Sequence, residues 1–191
     1  MDRSTLAPRY VLYAGPYLAG KHTSIRWITN HHHWSADRLK RPHTTEGGAT
    51  FEVYFQVAHF RSFYPPMPFD ALLALDSAAS NREHLVKERA FMAQAQAVVF
   101  VVDPFRVGQN EDLVELLGRD LEGAGRDPRS VPVVFQINKQ DALREGEAPA
   151  LSARSLSWPR AAFVESTASA GEGVREALDR ALAMIDEEAR P

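Results

Sequence analysis

The chain has 191 residues, 45% hydrophobic and 25% charged, a size and balance that suit one well-packed domain and leave little room for two. Its formal net charge of −3, with the basic residues dispersed, argues against a nucleic-acid partner or an anionic membrane surface, and the lack of cysteine removes disulfides, thiolate metal sites and a cysteine nucleophile. With no signal peptide, no glycine at position 2, no prenylatable cysteine and no apolar run near about 18 residues, the expectation is a cytoplasmic protein without a membrane anchor.

The first element is an apolar strand, Tyr10 to Ala14, running into Gly15-Pro16-Tyr17-Leu18-Ala19-Gly20-Lys21-His22-Thr23. A strand, a glycine-rich loop and a helix in that order form the context in which G-x-x-x-x-G-K cradles phosphates. Gly15 and Gly20 allow the loop to turn its N–H groups inward. Lys21 can reach β- and γ-phosphates, and the helix starting there directs its positive end at them. The next position, where a hydroxyl would ligate Mg²⁺, is His22, with Thr23 and Ser24 one and two places late. The bland alternative is an ordinary glycine turn between strand and helix.

The helix is expected from Lys21 to about His31, burying Ile25 and Ile28. His31-His32-His33-Trp34 invites a metal reading, but consecutive side chains diverge on any regular element and no carboxylate stands at a telling spacing, so a polar loop or helix end is preferred. Ala36 to Gly48, with Thr44, Thr45 and Gly47-Gly48, reads as a mobile loop whose Arg38, Lys40 and Arg41 are solvated. Thr50 to Phe60 alternates Phe51, Val53, Phe55 and Val57 against Glu52, Tyr54 and Gln56, the pattern of a half-exposed strand. Arg61 to Pro68 is a proline-rich turn, and Ala71 to Leu75 is a second strand, expected to pair with the first as a hairpin and to end at Asp76.

Ser80 to Ala95 reads as a helix with Leu85, Val86, Ala90 and Phe91 inward. Ala97 to Val102 is continuously apolar, which predicts a central parallel strand covered on both faces. A helix from about Glu111 to Glu122 carries Leu113, Leu116, Leu117 and Leu121 at helical spacing. Val131 to Ile137 is another buried strand and delivers Asn138-Lys139-Gln140-Asp141 at its carboxyl end. Arg144 to Arg160 reads as loop, Ala161 to Val164 as a last strand leading into Glu165-Ser166-Thr167-Ala168, and Gly173 to Glu188 as a helix burying Val174, Ala177, Leu178, Ala181, Leu182 and Ile185.

Strands alternating with helices describe a mostly parallel sheet between helical layers, with ligands beyond the carboxyl ends of the strands. Gly15–Thr23, Asp76, Asn138–Asp141 and Ser166–Ala168 all fall at such ends and converge on one crevice. There Asp141 can accept two parallel hydrogen bonds from the N1–H and exocyclic amine of guanine, a donor pair adenine lacks. Lys139 can lay its methylene stem along the purine, and Asn138 can tie this loop to the phosphate loop. Asp141 could instead act as a helix N-cap before Ala142-Leu143.

On Gly15, Pro16, Gly20 and Lys21, on Asn138, Lys139 and Asp141, and on the Ser-Ala-like stretch Glu165–Ala168, the chain resembles the Ras-like small GTPases over nearly its whole length, nearest the bacterial MglA-type branch. That resemblance implies one G domain over residues 1–191, with a mostly parallel six-stranded sheet, one antiparallel hairpin strand and helices on both faces. It implies GTP or GDP as ligand, held by Gly15, Gly20, Lys21, His22, Thr23, Asn138, Lys139, Asp141, Ser166, Thr167 and Ala168, with Mg²⁺ at Thr23 and Asp76. A roadblock-fold regulator acting in cell polarity or motility is the partner it implies, with Phe51–Phe60 as a docking edge.

The chain departs from the family at one chemical step. The family's D-x-x-G is Asp76-Ser77-Ala78-Ala79 here, and its water-orienting Gln is replaced by Ser80, with neither Asn81 nor Arg82 assigned that part. The switch threonine is Thr44 or Thr45, and His22 offers nitrogen where Mg²⁺ wants oxygen. Retained guanine-nucleotide binding with slow or absent hydrolysis is therefore expected, in a molecular switch or partner-binding regulator. A pseudo-GTPase scaffold and a GTPase completed by its partner are the alternatives.

Overall fold

The computed structural model describes residues 10–31, 35–44, 50–61, 68–70, 72–74, 92–143 and 156–188. In chain order its elements are Val11–Ala14 (β1), Lys21–His31 (α1), Ser35–Thr44 (β2), Thr50–Arg61 (β3), Pro68–Asp70 (β4), Leu72–Ala74 (β5), Ala97–Val102 (β6), Val107–Gly123 (α2), Val133–Ile137 (β7), Ala161–Glu165 (β8) and Val174–Glu188 (α3). Five strands form one parallel sheet in the order β5-β1-β6-β7-β8. The architecture is α/β, with helices packed on a parallel sheet.

The apolar runs find their cause in this arrangement. All six residues of β6 and all five of β7 are buried, because helices cover both faces of the sheet. Side chains alternate between the two faces with a period of two. Tyr13, Val99, Val101, Val134 and Val164 pack with Ile25 and Ile28 of α1 and with Ala177, Leu178, Ala181 and Leu182 of α3. Leu12, Val98, Phe100, Val102, Val133 and Phe135 pack with Val114, Leu117 and Leu121 of α2. Each such Val, Leu or Phe contributes roughly 1.5–3 kcal/mol on burial, and the central strands are thereby held most firmly.

Strand order reverses at β1, which is followed along the chain by β5 on one side and by β6 on the other. A reversal of this kind opens a crevice beyond the carboxyl ends of the strands. The residues after β1, after β6 and after β7 border it.

Two expectations for the middle of the chain are corrected. Residues 35–44, read as part of a loop, form β2, which pairs antiparallel with β3 from Ser35↔His59 to Thr44↔Thr50. The stretch is polar because β2 lies at the edge of a separate three-stranded sheet ordered β2-β3-β4, and that edge position also accommodates Pro42, which has no N–H to donate. Strand propensity there comes from the partner, β3, rather than from the sequence of β2 itself. The hairpin expected between Thr50–Phe60 and Ala71–Leu75 also differs: β3 pairs with β2 and β4, whereas β5 pairs in parallel with β1. Among the described residues the parallel sheet has five strands, and the antiparallel strand pairing lies in the second sheet. Of the helix expected over Ser80–Ala95, residues 92–94 are helical and 80–91 lie outside the described residues.

Candidate functional site

The loop after β1 is shaped by two glycines at positive φ, where any side chain would be strained. Gly15 has φ +130°, and a Cβ there would stand 2.2 Å from the Val101 carbonyl oxygen of β6. Gly20 has φ +114°, and a Cβ would stand 2.1 Å from Nδ2 of Asn138. Between them Leu18 adopts φ +62°, a left-handed conformation that costs a non-glycine residue about 1–2 kcal/mol, and its side chain is exposed. The sequence offered no signal for that strain, since leucine ordinarily avoids it.

Lys21 closes the loop. Its side chain is buried, and Nζ donates to the carbonyls of Gly15 at 2.8 Å and Pro16 at 2.6 Å. The ammonium thus sits inside the curve of the loop at the amino end of α1, whose first turn carries no acidic residue. Helix dipole and ammonium add to a positive field with no carboxylate on that turn, which favours an anion.

Asn138, at the end of β7, joins this loop to two others. Its Nδ2 donates to the Ala19 carbonyl at 2.7 Å, while Oδ1 accepts from the Ala168 amide at 2.8 Å and from Ser166 Oγ at 3.2 Å. Below it, buried Gln136 donates from Nε2 to Ser24 Oγ at 2.9 Å and to Ser166 Oγ at 3.0 Å. The Gln140 amide donates to the Ser166 carbonyl at 3.2 Å, so the Asn138–Asp141 loop and the loop after β8 are also stitched through backbone. Thr167 is buried, with its amide donating to the Glu172 carbonyl at 3.0 Å.

Lys139 holds φ +64° and passes the chain into a short 3₁₀ turn, Gln140–Ala142, on which Asp141 is exposed. The N-cap position of that turn is Lys139, with no side-chain cap hydrogen bond, and a helix capped by Asp141 would run into residues 144–155, which lie outside the described residues. Nζ of Lys139 donates to Oδ2 of Asp103 at 2.7 Å.

The described structure therefore brings Gly15, Gly20, Lys21, Asn138, Ser166 and Ala168 into one constellation, with Lys139 and Asp141 following directly on Asn138. His22 is half-buried and Thr23 exposed on the first turn of α1. A helix advances about 100° per residue, so Thr23 is rotated well away from the position His22 holds. Ser24 is committed to Gln136 in the core. No described hydroxyl takes the place next to Lys21 where a Mg²⁺ ligand is wanted; His22 offers an imidazole there instead. Thr44 is the last residue of β2, and Asp76, Thr45, Ser77, Ala78, Ala79, Ser80, Asn81 and Arg82 lie outside the described residues.

Asp103, Gln136 and Ser24 join this network although the motifs do not assign them to it. A signal for Asp103 existed, since a carboxylate directly after six apolar residues must emerge at the carboxyl end of a central strand. Gln136 inside an apolar strand was a second one. No protein-family model matches the chain, and no curated protein matches it.

Proposed function

We propose that this chain is a guanine-nucleotide-binding protein of the Ras-like type, one G domain over residues 1–191, acting as a switch or partner-binding regulator with slow or lost GTP hydrolysis. The observation that carries this reading is the Asn138 amide, which ties the Gly15–Lys21 loop and the Ser166–Ala168 loop into one wall from which the Lys139–Asp141 segment projects. A phosphate-binding loop and a carboxylate suited to guanine are thereby borne by one rigid frame. In this reading the loop amides and Lys21 bind phosphates, and Asp141 selects the base.

The narrowing to weak hydrolysis rests on His22 at the hydroxyl position and on the Ala79 and Ser80 departures in sequence. A second reading, a pseudo-GTPase scaffold for a protein partner, is favoured by the commitment of Ser24 to the core, which leaves the phosphate loop without a ready metal clamp.

The test begins with purified protein denatured and its released nucleotide identified by chromatography, followed by calorimetry with GDP, GTP and ADP. GDP and GTP binding with ADP excluded is the expected result; no binding of either guanine nucleotide at millimolar concentration would overturn the reading. His22→Thr should then make binding more dependent on Mg²⁺. Partner affinity measured with GDP and with a non-hydrolysable GTP analogue separates switch from scaffold, since only a switch distinguishes them.

A further inference from the structure

At the carboxyl end of β6, Asp103 carries a carboxylate whose side chain is 1% exposed. A charge so far from water persists only when it is paired. Its Oδ1 accepts from the Phe105 amide at 3.1 Å, Oδ2 accepts from Lys139 Nζ at 2.7 Å, and Arg106 Nε lies 3.6 Å from the same Oδ2. The two cations come from two loops, Arg106 from the one after β6 and Lys139 from the one after β7. Lys139 belongs to the segment leading to Asp141, while Arg106 Nη1 reaches back to the Tyr17 carbonyl at 3.4 Å, on the outermost part of the phosphate loop.

The backbone that carries this carboxylate is held in turn by Asn110. Asn110 of α2 accepts from the Asp103 amide through Oδ1 at 3.1 Å and donates through Nδ2 to the carbonyls of Asp103 at 2.6 Å and Arg106 at 2.9 Å. Asp103 is thus a fixed point, and the residues it grips are the adjustable ones. Lys139, with its left-handed backbone, has its ammonium end anchored and its methylene stem left as the part that can meet a ring.

We propose that Asp103 is a positioning residue that couples base recognition to phosphate recognition. Through Lys139 it sets where the stem lies for a purine, and through Arg106 it sets the reach of the phosphate loop at Tyr17. The inference rests on the guanine-nucleotide reading and assigns Asp103 a part within that site.

The test is a double-mutant cycle on release of a fluorescent GDP analogue from the full chain, followed by stopped flow. Asp103→Asn and Lys139→Met are each expected to speed release by about tenfold, and the double variant by no more than about twofold beyond the faster single one. A merely structural Asp103 predicts instead that the two factors multiply, and that product, or release from Asp103→Asn within about twofold of the unsubstituted chain, overturns the proposal. Should Asp103→Asn fail to fold, Arg106→Ala and Lys139→Met run the same cycle on partly exposed side chains, with the same two outcomes. Absence of GDP binding by the unsubstituted chain overturns the nucleotide reading and this inference with it, whereas binding with independent variants overturns this inference alone.

Discussion

Tyr13 shows how much a single atom can matter in a sheet covered on both faces. Its side chain is fully buried in β1, and among the described residues no group hydrogen-bonds its hydroxyl. Burial, and secondarily the negative charge of Asp179, push its pKa well above the usual tyrosine value of 10.0. The folded chain therefore keeps this proton at a pH where the unfolded chain has lost it. Stability is complete below about pH 10 and falls as pH rises beyond it, by about 1.4 kcal/mol per pH unit for this one group. Tyr13→Phe should raise stability at neutral pH by about 1–2 kcal/mol, because it removes an unsatisfied hydroxyl, and should flatten the alkaline decline. Urea unfolding at pH 7 and pH 11 checks both; a variant less stable than the parent at pH 7 would show that the hydroxyl has a partner.

The loops that follow β1, β7 and β8 act together as one element. Gly20→Ala is expected to destabilise the fold by about 2–4 kcal/mol, since it combines a strained φ with the loss of the Asn138 bond to Ala19. Gly108→Ala is the control, with no atom within 4 Å of its added methyl. Thermal unfolding of both variants measures the difference. Gly20, Lys21 and Asn138 were legible in the sequence because a glycine-rich loop and a polar strand end carry their own signature. The boundaries of α1 and β6 were legible too, through periodicity and continuous apolarity. β2 was not, because its residues suit a loop and only the ladder to β3 makes them a strand. Nor was the left-handed turn at Leu18, where closure of the loop around Lys21 overrides local preference.

For the molecule as a whole, a ligand that binds the folded chain alone stabilises all of it. At a GDP concentration of about a hundred times Kd, linkage gives about 2.7 kcal/mol, which in a chain of this size raises Tm by about 5–10 °C. ADP should leave Tm within about 1 °C if Asp141 reads the base. Equal shifts with both nucleotides would leave phosphate binding in place and remove base selection. No described helix is long and apolar enough to cross a membrane.

The amide that joins Ala19 to Asn138 closes across 119 residues of chain. Contacts of such separation form late in folding, once the strands between them have been laid side by side. A full-length but half-folded chain consequently owns every residue of the crevice and yet cannot present it, so that recovery of ligand binding on dilution from denaturant must trail the return of helical signal and serves as a clock for the last step of assembly.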